Sequence, residues 1–180
     1  MAGIAYFLLE YGHRYRDDRA ILFAARALRY LAQAKKQMGF GWFDGTAGIA
    51  LVFLRAYEYL RMPHYKQTAQ GLLASIPAEI SSPNLSLYNG LSGLGDVYLE
   101  AARVLKQAEW ASRAGWIAQL LTNMAVSDQT GACYWYVSPP GRPTADLMVG
   151  NTGVMHFLLR ALYPESVSLA ISGMDLPHHS

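Results

Sequence analysis

The chain has 180 residues, of which 52% are hydrophobic and 16% are charged, and its formal net charge is +2. Its length and hydrophobic content suffice for the core of one domain, whereas charges this few and this balanced argue against a nucleic-acid or membrane-surface partner. A single cysteine, Cys133, excludes an internal disulfide framework and a thiolate-rich metal cluster, and it favours a reducing, cytoplasmic setting.

The N-terminal segment Met1 to Leu9 is apolar, but no basic residue precedes it and it is far shorter than the ~20 residues that cross a membrane. We therefore expect neither a signal peptide nor a membrane span. The segment instead resembles three later ones, each of which begins with two glycines three residues apart and continues with an apolar run: Gly45-Thr46-Ala47-Gly48, Gly90-Leu91-Ser92-Gly93 and Gly150-Asn151-Thr152-Gly153.

The second glycines of the four copies, at positions 3, 48, 93 and 153, are 45, 45 and 60 residues apart. A spacing near 45 residues is typical of two helices with their two loops. The longer last interval contains about fifteen extra residues, which we place in residues 127–143. Glycines and prolines surround the aromatic run Tyr134-Trp135-Tyr136 there, a pattern that predicts an irregular loop with a short strand pair.

Three amphipathic helices are predicted between the glycine motifs: from Asp17 or Asp18 to about Lys36, from Pro63 to about Ile76, and from Gln107 to about Ala125. The segments after the glycines, such as Ile49 to Leu54 and Val154 to Leu159, are apolar on nearly every side and should be buried. The sequence thus predicts an all-α fold of helical hairpins, with buried inner helices and amphipathic outer ones.

The glycines of each motif have a structural and a functional interpretation. The first glycine can adopt a positive φ at a sharp turn, and the second removes a side chain where a helix or a ligand comes close. The N–H groups at the helix start would then point into free space and could hold an anion or a developing negative charge. In the alternative interpretation, the glycines only permit tight packing.

At these motifs the chain resembles the lanthionine synthetase C-like family, whose members fold as an α/α toroid, a ring of helical hairpins with the glycine turns around the active site. The zinc-bearing members read Gly-Trp-Cys-Tyr-Gly-x-x-Gly and, one repeat later, Cys-His-Gly-x-x-Gly. This chain reads Gly41-Trp42-Phe43-Asp44-Gly45-Thr46-Ala47-Gly48 and then Tyr88-Asn89-Gly90-Leu91-Ser92-Gly93. Phe43, Tyr88 and Asn89 replace the three metal ligands, so the resemblance implies no zinc and no other cofactor.

In lacking the zinc ligands, the chain resembles the cyclase domains of class III lanthipeptide synthetases. In those enzymes the toroid follows a lyase and a kinase domain. The resemblance spans residues 1–180 but only as the C-terminal part of the ring, about three and a half hairpins. It implies a fragment, a split-gene product or a truncated relative. The expected partners are a peptide substrate and either the remaining N-terminal part of the toroid or a kinase or lyase domain, with a homo-oligomer as a further possibility.

The zinc-bearing members of the family add a peptide cysteine thiolate to dehydroalanine or dehydrobutyrine and so close a thioether ring. Without zinc, this reaction needs a base for the thiol and an acid for the enolate carbon. The candidate catalytic residues are Asp44, Tyr88, Asn89 and Asp146, and the candidate substrate-binding residues are Trp42, Gly45, Gly90, Gly150 and Asn151. Each polar candidate has a structural alternative: Asp44 as a helix cap, Asp146 as a loop anchor, and Asn89 bonded to its own backbone.

Two other functions compete with a cyclase. One is a non-catalytic scaffold that binds a peptide or a partner domain. The other is a different α/α toroid enzyme such as a glycoside hydrolase, for which Asp44 and Asp146 would be the carboxylate pair. Of the remaining polar residues, His156 lies on an inner helix and is predicted to be a structural histidine of the core, and Cys133 is predicted to be a loop residue.

Overall fold

A computed structural model describes residues 1–33, 39–42, 45–137 and 142–171. These ranges hold seven helices, α1 (Ala2–Tyr15), α2 (Asp18–Gln33), α3 (Thr46–Leu60), α4 (Pro63–Ala74), α5 (Leu91–Leu105), α6 (Ala108–Asn123) and α7 (Asn151–Leu162). Two short strands, β1 (Val126–Ser127) and β2 (Cys133–Tyr134), pair antiparallel between α6 and α7. The all-α fold and the strand pair in the extra segment are confirmed.

Consecutive helices form three hairpins, α1–α2, α3–α4 and α5–α6, and the odd-numbered helices pack side by side in the order α1, α3, α5, α7. The odd helices are therefore the inner layer, and α2, α4 and α6 are the outer layer. No helix within the described ranges is long and apolar enough to cross a membrane. Whether the layers continue into a closed ring stays a prediction.

Local chemistry sets the helix ends, and the C-terminal ends of the inner helices repeat along the chain. Oδ1 of Asp17 accepts hydrogen bonds from the N–H groups of Arg19 and Ala20, at 2.9 and 3.0 Å, and so caps α2. Pro63 occupies the first turn of α4, where its missing N–H is not needed. The three inner helices that enter a hairpin end at left-handed residues in equivalent repeat positions, Arg16, Arg61 and Lys106, with φ of 53°, 56° and 56°.

The core lies between the two layers and between neighbouring inner helices. In α3 every residue from Ala47 to Ala56 is buried, as the apolar sequence predicted. The corresponding prediction for α7 is wrong on one flank, where Met155 and Leu159 are 52% and 45% exposed. Helix α1 also exposes one flank, with Ile4 and Phe7 61% and 63% exposed. Both helices lie at the ends of the inner layer, so each lacks one inner neighbour.

A ladder of charged side chains crosses the inner layer. Glu10, Arg55, Glu100 and Arg160 each lie seven residues after the second glycine of their repeat, so the sign alternates from one inner helix to the next. Arg55 Nε lies 2.8 Å from Glu10 Oε1, and Arg160 bonds both Glu100 and, at 2.7 Å, Asp96 Oδ1. Glu58 of α3 and Arg103 of α5 form an ion pair of 2.6 Å, which connects the α1–α3 ion pair with the α5–α7 ion pairs. The ladder thus links α1, α3, α5 and α7.

Candidate active site

The glycine turns cap the helices that they precede. The N–H groups of Thr46, Ala47 and Gly48 donate to the carbonyl oxygens of residues 39–41, each seven residues earlier, at 2.8, 3.2 and 3.3 Å. Leu91, Ser92 and Gly93 repeat this pattern with residues 84–86, and Asn151 donates to the carbonyl of Thr144. The prediction that these N–H groups point into free space is therefore wrong, because the preceding loop occupies the position in which an anion would bind.

The first glycine of each turn is required by the crossing of backbone segments and not by a positive φ. Gly45, Gly90 and Gly150 have φ of −119°, −112° and −125°, which corrects the predicted left-handed conformation. A Cβ on Gly150 would lie 2.6 Å from the backbone nitrogen of Asp146 and 2.6 Å from the carbonyl oxygen of Thr144. The capping loop crosses so closely that no side chain fits.

The second glycine makes room for the same loop one turn later. A Cβ on Gly48 would collide with the carbonyl oxygen of Trp42, one on Gly93 with that of Leu87, and one on Gly153 with that of Leu147. Each colliding carbonyl lies six residues before its glycine. The close approach that the sequence predicted is therefore present, and the backbone of the turn itself makes it.

Successive glycine turns contact one another at one end of the inner layer. A Cβ on Gly41 would lie 2.6 Å from Asn89 Oδ1, and one on Gly93 would lie 3.2 Å from the Cβ of Trp42. The backbone N–H of Tyr88 donates to the carbonyl oxygen of Met148 at 2.8 Å, which joins the turn before α5 to the turn before α7. Trp42, Tyr88, Asn89 and the 144–150 loop are therefore brought together.

The candidate side chains within this region differ in their exposure and in their hydrogen-bond partners. Tyr88 is 40% exposed, so its phenol can reach a bound molecule. Asn89 is half-buried, and its Oδ1 is buried without a hydrogen-bond partner among the described residues. Asp146 is exposed, but its Oδ1 already accepts from the N–H groups of Met148 and Val149, each at 2.7 Å. Trp42 is 4% exposed and belongs to the wall of the site.

Asn151 attaches the extra segment to the third turn. Its Oδ1 accepts from the N–H of Trp135 at 2.7 Å, and its Nδ2 donates to the carbonyl oxygens of Trp135 and Thr144 at 3.1 and 3.2 Å. The N–H of Leu85 also donates to the carbonyl of Val137, at 2.9 Å. The segment therefore borders the glycine turns, while Cys133 stays exposed beside Ser127.

Phe43 and Asp44 lie outside the described residues, so the structure gives no position for the predicted base. The two other residues at the zinc-ligand positions, Tyr88 and Asn89, offer a phenol and a neutral amide oxygen wedged against Gly41. Neither is a thiolate or an imidazole, the donors that zinc prefers in such sites. Within the described ranges, no three His, Cys, Asp or Glu side chains are grouped to hold a metal ion. Tyr88 and Asn89 therefore do not fit zinc.

The charged ladder is the group of polar residues that the sequence reasoning missed. It begins seven residues, or ~10 Å at 1.5 Å per residue, along the inner helices from the glycine turns. Arg55 of the ladder also donates a hydrogen bond to the hydroxyl of Tyr6 on α1. Burial raises the pKa of Tyr6 to about 12, because its effect exceeds the opposite effect of the Arg55 charge. The signal was present in the sequence, because the residue seven positions after each second glycine alternates between Glu and Arg.

Comparison with known proteins agrees with the architecture. The profile of the lanthionine synthetase C-like protein family matches residues 36–166, which include the three complete glycine turns and the helices α3 to α7. No curated protein matches the chain. Because the match covers well over half of the sequence, the chain belongs to the lanthionine synthetase C-like family.

Proposed function

We propose that this chain is part of a cyclase domain that forms thioether rings in a peptide without zinc. Membership of the family supports the reaction class. The observation that carries the proposal is the convergence of the glycine turns: Tyr88 and Asn89 lie at the junction of three turns, next to the buried Trp42. An exposed phenol and an amide on one wall are the groups that a zinc-independent addition would use.

The proposed step is the addition of a thiol to an alkene, and it needs neither an oxidant nor a reductant. A base removes the proton from the cysteine thiol, and the sulfur then bonds to the β-carbon of dehydroalanine or dehydrobutyrine. The π bond breaks and its electron pair passes to the enolate formed by the α-carbon and the carbonyl group. An acid then protonates the α-carbon, so the proton lost by the thiol is balanced by the one gained at carbon.

In this proposal each polar residue of the site has its own catalytic role. Tyr88 protonates the α-carbon, because its phenol is exposed at the junction of the turns. Asn89 donates from its amide nitrogen to the enolate oxygen, replacing the N–H groups that the capping loops occupy. Asp44 serves as the base for the thiol. Asp146 shapes the loop through Oδ1, while its exposed carboxylate is the alternative base.

The proposed partners are a dehydrated peptide and a polypeptide that continues the inner layer. Met155 and Leu159 at one end of the layer, and Ile4 and Phe7 at the other, form apolar flanks open to solvent. An inner helix from the rest of the toroid, or from an associated kinase or lyase domain, would cover such a flank. We further propose that the protein acts in the cytoplasm.

Mass spectrometry after thiol alkylation tests the proposal directly. A synthetic peptide that carries one dehydroalanine and one cysteine is incubated with the chain, alone and together with the polypeptide that completes its ring, and is then treated with iodoacetamide. We expect the thiol to become protected from alkylation faster than in peptide alone. Tyr88→Phe should slow protection about 100-fold, since a general acid contributes at least about this factor, whereas Tyr30→Phe on the exposed face of α2 should not. Equal rates with and without protein would refute the proposal.

One observation favours the non-catalytic scaffold as a second candidate. The N–H groups at the start of α3 and α5, and Oδ1 of Asp146, are all engaged in holding the turns. A scaffold would bind the peptide at the same end of the inner layer but would leave its thiol open to alkylation. The alkylation rate separates the two functions: for a scaffold the thiol reacts equally fast with the natural chain and with Tyr88→Phe, whereas for a cyclase the natural chain protects the thiol and Tyr88→Phe protects it more slowly.

A further inference from the structure

An apolar groove of about 710 Å³ separates the outer helices α2 and α4. The α2 wall is a stripe of residues at spacings of three and four from Asp18 to Ala32, and it includes Leu22 and Leu28. Phe53 and Leu60 of α3 form the floor. The groove is thus built from the outer layer and is separate from the residues that meet at the glycine turns.

The next pair of outer helices shows why this groove stays open. On α6, Arg113 donates to the carbonyl oxygen of Ile76 at 2.9 Å, and Trp116 donates to that of Ile80 at 3.2 Å, which fastens α6 to the end of α4 and the loop after it. The equivalent residues of α4, 45 positions earlier, are Thr68 and Gly71. Thr68 donates to the carbonyl oxygen of His64 within its own helix, and a Cβ on Gly71 would meet nothing within 4 Å, so neither position links α4 to α2.

The length of the groove indicates an elongated occupant. The α2 stripe spans fourteen residue steps, or ~21 Å at 1.5 Å per residue, which equals about four turns of helix. Two of the lining residues, Leu22 and Met62, are 53% and 48% exposed, so the apolar surface continues to the rim. A groove with one helix as a wall along its whole length suits an amphipathic helix, which inserts apolar side chains every third or fourth residue.

The charged residues of the groove determine which charge a bound helix should carry beside its apolar stripe. Arg29 and His64 line it, and Arg29 forms no ion pair within the described part of the chain. The one carboxylate in the lining, Asp18, lies in the first turn of α2, where it offsets the positive end of that helix. The cationic group available to a ligand is therefore the Arg29 guanidinium, and it favours a carboxylate.

We propose that the α2–α4 groove is a docking site for an amphipathic α-helix whose apolar stripe lies against Leu22 and Met62, the exposed apolar side chains of the lining, and whose flank presents a carboxylate to Arg29. The site belongs to the outer layer and does not depend on the chemistry proposed at the glycine turns. It would allow the chain to hold a partner helix while the inner layer handles a peptide.

Fluorescence anisotropy with two designed probes tests this site. One probe is a labelled peptide of about four helical turns with a leucine stripe flanked by glutamates, and the other carries lysines in place of the glutamates. We expect the intact chain to bind the glutamate probe about two- to fivefold more tightly than the lysine probe, the range that an exposed ion pair allows. Arg29→Glu should reverse this order. Arg26→Glu, one turn earlier on α2 and outside the groove lining, should preserve it.

A second variant tests the apolar part of the site, with circular dichroism showing that each variant keeps its helices. Leu22→Ser should weaken binding of both probes, because it removes apolar surface from the groove without changing a charge. Failure of the glutamate probe to bind, or equal effects of Arg29→Glu and Arg26→Glu, would overturn the proposal. Self-association that Arg29→Glu abolishes would identify a second copy of the chain as the occupant, which would overturn it as well.

Discussion

At the scale of single residues, the glycines show how one residue type serves several steric purposes. Gly90 and Gly93 are both required by the loop that caps α5, the first where the backbone crosses and the second where the carbonyl of Leu87 comes close. Gly71, within α4, faces open space and has no such purpose. The sequence motif identified the important glycines, but the reason for the first one lies in a crossing that no local pattern reveals.

Gly93→Ala and Gly71→Ala should therefore change stability in opposite directions. Gly93→Ala places a Cβ against the carbonyl oxygen of Leu87 and should lower the free energy of unfolding by about 3 kcal/mol. Gly71→Ala adds a methyl group in open space within a helix and should raise it by about 0.5–1 kcal/mol. Urea denaturation of both variants measures the difference, and two equal losses would contradict the steric explanation.

Asn151 holds the extra segment through two hydrogen bonds to the backbone of Trp135. Asn151→Ala removes the partners of both the N–H and the carbonyl of Trp135, so it should cost about 2 kcal/mol and speed hydrogen exchange at the Trp135 amide. Asn123→Ala, which removes an exposed bond to Gln119, is the matched control. If exchange at Trp135 is unchanged, Asn151 does not hold the extra segment, and its predicted role in substrate binding gains weight.

At the scale of helices, the inner layer combines apolar packing with the alternating charges of the ladder. Asp96, Glu100 and Arg160 are all buried, and a buried ionic group is stable only when its partners stay in place. The ladder therefore fixes the relative register of neighbouring inner helices. Apolar contacts alone would permit small shifts between such similar surfaces.

The carboxyl group of Glu58 makes the stability of this layer depend on pH. Burial alone would raise the pKa of Glu58, but the hydrogen bonds from Arg103 and the charge of Arg55 hold it below its usual value. Because the folded-state pKa is the lower one, the ionised group stabilises the fold above ~4.3, the pKa of an unfolded glutamate. This contribution disappears as the pH falls through the folded-state value.

Glu58→Gln should consequently be less stable than the natural chain at pH 7, and the difference should shrink as the pH is lowered from 5 to 3. Urea denaturation at each pH measures it. Glu109→Gln is the control, because Glu109 also pairs with an arginine, Arg113, but is 58% exposed and should show a smaller effect. A difference for Glu58→Gln that stays constant with pH would show that the Glu58 ion pairs do not stabilise the fold.

At the scale of the whole molecule, both ends of the inner layer present apolar side chains to solvent. In the α5–α7 contact, Gly95 of α5 faces the ring of Phe157 of α7. The residue of α7 equivalent to Gly95 is Met155, and the residue of α1 equivalent to Phe157 is Phe7, and both are exposed. Residues at the positions that pack together between α5 and α7 are thus left open to solvent at the two ends of the layer.

We therefore expect the isolated chain to self-associate, end to end, unless a polypeptide that continues the layer covers these flanks. Sedimentation velocity over a range of concentrations should show association, and either Phe7→Glu or Leu159→Glu should reduce it. Met124→Glu, which charges an exposed apolar side chain at the end of α6, should leave it unchanged. A well-folded monomer at all concentrations would contradict this expectation.

The sequence by itself determined the all-α hairpin architecture, the helix order and the family. Periodicity, the cap at Asp17 and the proline at Pro63 act within a few residues, and the glycine pairs recur along the chain, so these signals can be read without coordinates. Only the tertiary structure decided that loop carbonyls occupy the N–H groups of the glycine turns, that an ionic ladder joins the inner helices, and that α2 stands apart from α4. These features arise where segments far apart in the chain meet, and their energies depend on distances that residue spacing does not define.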